Sequence, residues 1–216
     1  FQTSAPKSFV LVKLDYPQNE NLVTPEIRAQ NEKLQGEYSI EGYPTILLMD
    51  AEGRVYGKAG YQQGGPDAYN EMLAEKHKTG VEFKKAMATA AQKQGEERAQ
   101  ALDAALGALD EEVVGAYHFA TMQEIVKLGS GELKEKYEAR VKELEEARQV
   151  DQAAREIQEL VMDDMRGGEG EQAIAKLDAV IKEPKTPVRH QMALFFKGMI
   201  IMDTSGDAKA AIAALE

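Results

Sequence analysis

The chain has 216 residues, 43% apolar and 29% charged, the composition of a soluble globular protein with a packed core. Its 37 acidic side chains outnumber 26 basic ones, and the resulting net charge of −11 repels polyphosphate and argues against a nucleic-acid partner. There is no cysteine, so these residues form no disulfide, no thiolate metal site and no cysteine nucleophile.

Along the chain, the run Phe9-Val10-Leu11-Val12-Lys13-Leu14 is short, apolar and rich in β-branched residues, and predicts an inner strand of an α/β sheet. Thr24-Pro25-Glu26 supplies an N-cap, a proline for the first helical position and a first-turn acid, so a helix starts there with Ile27, Leu34 and Tyr38 on its buried side. Gly42-Tyr43-Pro44 leads into Thr45-Ile46-Leu47-Leu48-Met49, and the turn Asp50-Ala51-Glu52-Gly53 joins it to Arg54-Val55-Tyr56. Two apolar runs across a tight turn predict an antiparallel hairpin. After Gly64-Gly65-Pro66-Asp67, the spacing of Tyr69, Met72, Leu73 and Lys76 lays an apolar stripe on a further helix. The predicted order is strand, helix, strand, strand, helix.

On local sequence alone Pro44 fits the start of an ordinary edge strand with a trans peptide bond. The stretch from Tyr38 to Gly53, with Gly42-Tyr43-Pro44-Thr45 entering the hairpin, resembles the cis-proline region of thioredoxins and of exported thioredoxin-like proteins. That resemblance implies a cis bond at Pro44, a redox dithiol facing it, and a polypeptide substrate pairing with the backbone at Tyr43. Gly42, Tyr43, Pro44 and Thr45 are thus the candidate substrate-binding residues. It also implies an N-terminal strand and helix, a central strand and a Cys-x-x-Cys helix before residue 9, none of which the sequence contains. At most, residues 1–8 match the tail of the dithiol-bearing helix. An upstream segment carrying the rest is expected, and an exported or periplasmic location follows from the resemblance alone.

From residue 81 onward, no strand signal occurs and good helix formers dominate. Gly95, Gly131, Gly168 and Gly206 precede helical segments at intervals of 36, 37 and 38 residues, which suggests stacked helical hairpins. The segments beginning at Gly168 and Gly206 share an acid, Ala-Ile and Leu at fixed offsets, namely Ala173-Ile174 with Leu177 and Ala211-Ile212 with Leu215. With Pro184, Ala193, Phe196 and Gly198 between them, residues 167–216 resemble tetratricopeptide repeats, whose small residues let paired helices approach. The hairpins at Gly95 and Gly131 match in spacing only, so a plain bundle is an equal reading there. Residues 132–166 also fit one long helix, with Asp151 as the sole candidate cap for a break. The fold class is therefore α/β plus all-α: an incomplete thioredoxin-like domain over residues 1–80, then a helical-hairpin domain over residues 81–216. Because Glu216 falls halfway through a hairpin by this count, either a capping helix end or further protein is expected there.

Other constellations carry no chemistry. His77, His118 and His190 lie far apart without a second ligand at helical spacing and predict surface or helix-end residues, so no metal site is expected. Asp163-Asp164 and Glu145-Glu146 read as solvated helix faces. Gly64-Gly65 and Gly167-Gly168 lack the Lys-Ser/Thr of a phosphate loop, and no cofactor is expected. The apolar stretch from Met192 to Met202, interrupted by Lys197 and Gly198, falls short of about 20 residues and predicts a buried helix, with Met199 to Met202 as packing between hairpins. No catalytic residue is assigned. The leading functional expectation is a thiol-disulfide oxidoreductase relative acting on polypeptides; the alternative is a non-catalytic polypeptide-binding or scaffold protein.

Overall fold

The computed structural model describes residues 5–17, 19 and 22–215. Of the reading of residues 1–8 as the tail of a dithiol-bearing helix, residues 1–4 lie outside the described residues, as does Glu216, and Ala5–Lys7 form a 3-10 turn. The protein is mostly helical, with one small antiparallel sheet. After a 3-10 turn at Ala5–Lys7 come α1 (Pro25–Glu37), β1 (Ile46–Met49), β2 (Val55–Ala59), α2 (Gly65–Ala91), α3 (Gly95–Leu106), α4 (Glu111–Tyr117), α5 (Phe119–Leu128), α6 (Gly131–Gly167), α7 (Gly170–Lys182), α8 (Pro187–Ser205) and α9 (Ala208–Ala213). Two compact units divide the chain, Phe1–Val141 and Lys142–Glu216. The division expected at residue 80 falls inside α2, which continues to Ala91 and packs along α3, so helices beyond that position share the core of the first unit.

In the first unit, α1 starts where the sequence places it. Thr24 caps it by accepting from the Ile27 amide through Oγ1, and Pro25 occupies the first helical position. Its buried side differs from expectation: Ile27 is exposed, Leu34 and Tyr38 are half-buried, and the one fully buried position is Asn31. The Asn31 amide binds the chain segment lying over the helix, which an aliphatic side chain there cannot do.

The hairpin forms as predicted. Asp50 accepts from the Glu52 and Arg54 amides through Oδ1 and from Arg54 Nε at 2.6 Å through Oδ2, and Gly53 closes the turn at φ +79°. Register runs Ile46 with Ala59, Leu47 with Lys58 and Leu48 with Gly57, then slips so that Met49 meets Val55 and Tyr56 is the extra residue of a bulge.

The strand expected over residues 9–14 does not form. These residues are irregular, and Val10 and Val12 are 93% and 80% exposed. A strand exists only against a hydrogen-bonded partner. β1 pairs with β2, and among the described residues no strand lies along the other edge of β1.

α2 and α4 both pack on β2. Lys58 pairs with Glu112 at 2.7 Å and Lys76 with Asp110 at 3.1 Å, which ties α4 to the strand and to α2. The core of this unit gathers Leu48, Val55, Tyr56, Leu73, Phe83, Leu102, Met122 and Ile125. At its tightest point the buried Tyr56 ring lies over Gly80 of α2, its nearest atoms 2.5 Å from where a Cβ would stand.

The second unit holds the C-terminal part of α6 with α7, α8 and α9. Ile157 and Val161 from α6, Ala173 and Leu177 from α7, and Ala193 and Ile200 from α8 form its core. Gly170 and Gly198 allow the close approaches: a Cβ at the first meets Thr204 Cγ2 at 2.7 Å, and at the second the Ala211 carbonyl at 3.1 Å. Gly95, Gly131, Gly168 and Gly206 all stand at helix boundaries with positive φ. Their even spacing does not count out equal hairpins. Three helices lie between Gly95 and Gly131, one between Gly131 and Gly168, and two between Gly168 and Gly206. α6 runs unbroken through Asp151, because no Gly or Pro interrupts it before its end.

Replacing Gly80 by Ala raises helix propensity by about 1 kcal/mol but drives a methyl group into a buried ring that has no free space to yield. The overpacking term is expected to win, with Gly80→Ala less stable by about 1–3 kcal/mol in urea unfolding.

Candidate functional site

Tyr38 to Thr45 connect α1 to β1, and the connection is braced at several points. Ser39 takes φ +49°, the Ile40 amide donates to the Gln35 carbonyl at 2.9 Å, and the Tyr117 hydroxyl of α4 donates to the Tyr38 carbonyl at 3.2 Å. The Thr45 hydroxyl folds back to donate to the Gly42 carbonyl at 2.7 Å, and the Tyr43–Pro44 bond is cis. The four sequence-predicted residues Gly42, Tyr43, Pro44 and Thr45 therefore form one short, self-bonded turn at the entrance to β1. Gly42 has no atom within 4 Å of a would-be Cβ, and Tyr43 is 59% exposed. The turn is open to solvent and leads into a strand whose second edge carries no neighbouring strand among the described residues.

Three further side chains, and Gly60, belong to this region. The Tyr16 ring contacts Tyr43 with centroids 5.1 Å apart and planes tilted by 33°. Its hydroxyl donates to the Asn31 carbonyl at 2.7 Å, while the Asn31 Nδ2 donates to the Asp15 carbonyl at 2.9 Å. Burial, and next the neighbouring Tyr43 phenol, raise the Tyr16 hydroxyl above its ordinary pKa of 10.0, so it stays a donor. Across the turn, Gly60 follows β2 so closely that a Cβ there would lie 3.1 Å from the Pro44 carbonyl, and Tyr61 comes next in the chain, 81% exposed. Sequence reasoning missed all three. One signal was present for Asn31, a polar residue standing on the same helical stripe as Ile27, Leu34 and Tyr38; Tyr16 and Tyr61 have no such local mark.

The histidines differ among themselves. His118 is at a helix end, between α4 and α5, yet it is buried, with Nε2 2.6 Å from the Val55 carbonyl and its ring edge-on to Phe83. Its neutral Nε2–H tautomer donates to that carbonyl. Burial holds its pKa below the ordinary 6.5 and the Arg54 guanidinium adds to this, against the opposing pull of the Val55 carbonyl and of Asp50. Phe9, expected inside a sheet, instead meets the His77 ring edge-on at 5.3 Å. Among the described residues no three His, Cys, Asp or Glu side chains are grouped to hold a metal ion, and no helix is long and apolar enough to cross a membrane.

The second unit has a groove of its own, about 820 Å³, between α6 and α8. Met162, Met165, Phe196 and Met199 line it with Met202. Met199 and Met202 are each about half exposed and Ile201 is half-buried, so of the four residues expected to pack only Ile200 is fully buried in the core.

Compared with known proteins, the chain is similar to the disulfide bond reductase DsbH of Chlamydia pneumoniae, with 36% identity over 59 residues. The match covers 27% of this chain and 35% of the reductase, so the chain spans about a third of the relative it matches. No family model matches. No solved structure matches.

The buried His118 makes stability depend on pH. Below the ordinary 6.5 the unfolded chain takes up a proton that the folded chain excludes, so stability falls with acidification and is level above that value. The urea midpoint is expected to drop between about pH 7.5 and about pH 5.5, and His118→Gln, which keeps a donor for the Val55 carbonyl but cannot titrate, is expected to flatten that drop.

Proposed function

We propose that this chain is the polypeptide-binding part of a thioredoxin-like thiol-disulfide oxidoreductase, with residues 42–45 receiving an extended polypeptide and the helices beyond residue 81 docking partners or orienting the domain. The observation that carries the reading is the similarity to a disulfide bond reductase. The turn supports it physically: it is solvent-open and internally braced, and it runs into a strand with an unshared edge among the described residues, the arrangement an added strand requires. Main-chain pairing along that edge gives affinity, and the side chains around Tyr43 give selectivity.

With no cysteine in the 216 residues, the electron pair for disulfide reduction has no source among them. A dithiol elsewhere in the full-length protein is part of the proposal, as is an exported location. A second reading, a polypeptide holder without redox chemistry, draws on that same absence of cysteine together with the open groove between α6 and α8.

The two readings part in one pair of measurements. The 216-residue chain alone is expected to titrate no thiol and reduce no insulin, yet to bind labelled carboxymethylated insulin B chain. Thr45→Ala, which frees the Gly42 carbonyl, is expected to weaken that binding about fivefold, the worth of one hydrogen bond. Insulin reduction by the full-length protein supports the oxidoreductase, and its absence leaves the holder. Failure of the chain to bind the B chain removes both.

A further inference from the structure

Tyr43 is an exposed side chain of the turn, and an exposed ring loses rotamer freedom when a ligand orders it. Here the ring is already held. Tyr16 packs against it, and Tyr16 is itself fixed at two points on α1, through its hydroxyl to the Asn31 carbonyl and through the Asp15 carbonyl to the Asn31 amide. Asn31 is only 3% exposed, so the anchor is rigid and screened from water. Gly60 stands close to the Pro44 carbonyl, and the exposed Tyr61 follows it in the chain. Two tyrosines from separate parts of the chain thus meet at a turn that is otherwise glycine, proline and threonine.

We infer that Tyr16 is a positioning residue that presets the Tyr43 ring, and that the preset Tyr43 ring is an aromatic platform selecting extended polypeptides with a large apolar side chain next to the docked backbone. This rests on the reading of residues 42–45 as the polypeptide-binding turn. Preset tyrosine rings offer broad, amphipathic contact area at low entropic cost, and an aromatic or aliphatic side chain gains most from them. A serine or glycine at the same place gains main-chain bonds alone.

The test uses the whole chain and three labelled ten-residue Gly/Ser peptides with a single Trp, Leu or Ser at the centre. Fluorescence anisotropy reads binding, hydrogen exchange reads the Tyr43 and Thr45 amides, and a thermal melt reports whether each variant is folded. Wild type is expected to prefer the Trp peptide over the Ser peptide about tenfold, Tyr16→Ala to cut that preference about fivefold and to speed exchange at both amides, and Tyr16→Phe, which keeps the ring, to retain the preference within about twofold. Tyr43→Ala removes an exposed ring without touching the core, so it tests the platform even if Tyr16→Ala does not fold. A preference unmoved by either alanine variant overturns the platform and leaves the turn as a binding site. If wild type binds none of the three peptides, the reading of the turn fails, and the platform with it.

Discussion

The small sheet in the first unit keeps its shape because α2 closes down on it, and α2 comes that near because residue 80 has no side chain. A two-stranded hairpin is marginal in water, since it buries too little apolar surface to offset the ordering of its backbone. The bulge at Leu48 and Met49 leaves Tyr56 as an unmatched residue, and its ring spans the gap between strand and helix to lie on Gly80. Around this contact the rest follows: Val55 and Leu48 are enclosed, the Val55 carbonyl is sealed by His118, and Arg54 pairs with the buried Asp50 while its guanidinium rests over Phe83.

The turn owes its openness to the same economy of strands. A third strand along the free edge of β1 would cover it, and the apolar run from Phe9 to Leu14, which has the composition of such a strand, lies irregular and largely exposed instead. Its C-terminal end is captured differently, by polar contacts to α1 through Asp15, Tyr16 and Asn31. The consequence is an aromatic contact between Tyr16 and Tyr43 at the turn. Solvation does not penalise it, because each tyrosine keeps a hydroxyl for water or for a backbone carbonyl while presenting an apolar face.

In the helical part of the chain, glycine works at the joints. Gly95, Gly131, Gly168 and Gly206 take left-handed backbone angles that end one helix and aim the next, whereas Gly170 and Gly198 allow helix to touch helix. Those are two different demands on one residue type. An even spacing of the first kind says where the chain bends, and it carries no information on how many helices fit between bends.

Local chemistry settled a good deal of this protein from its sequence. The cap and proline at Thr24 and Pro25, the Asp50–Gly53 turn, the hairpin it joins, the start of α2 and the helical character of the remainder were all legible, because each depends on contacts within a few residues. So was the stretch from Gly42 to Thr45 as a turn entering the hairpin. The tertiary structure alone decided that residues 9–14 are not a strand, that Asn31 and not Ile27 is the buried position of α1, that α2 runs past residue 80 into a shared core, and that Tyr16 packs on Tyr43. A strand needs a partner distant in sequence, a burial needs something to be buried against, and an aromatic pair assembled from residues 16 and 43 has no local period to betray it.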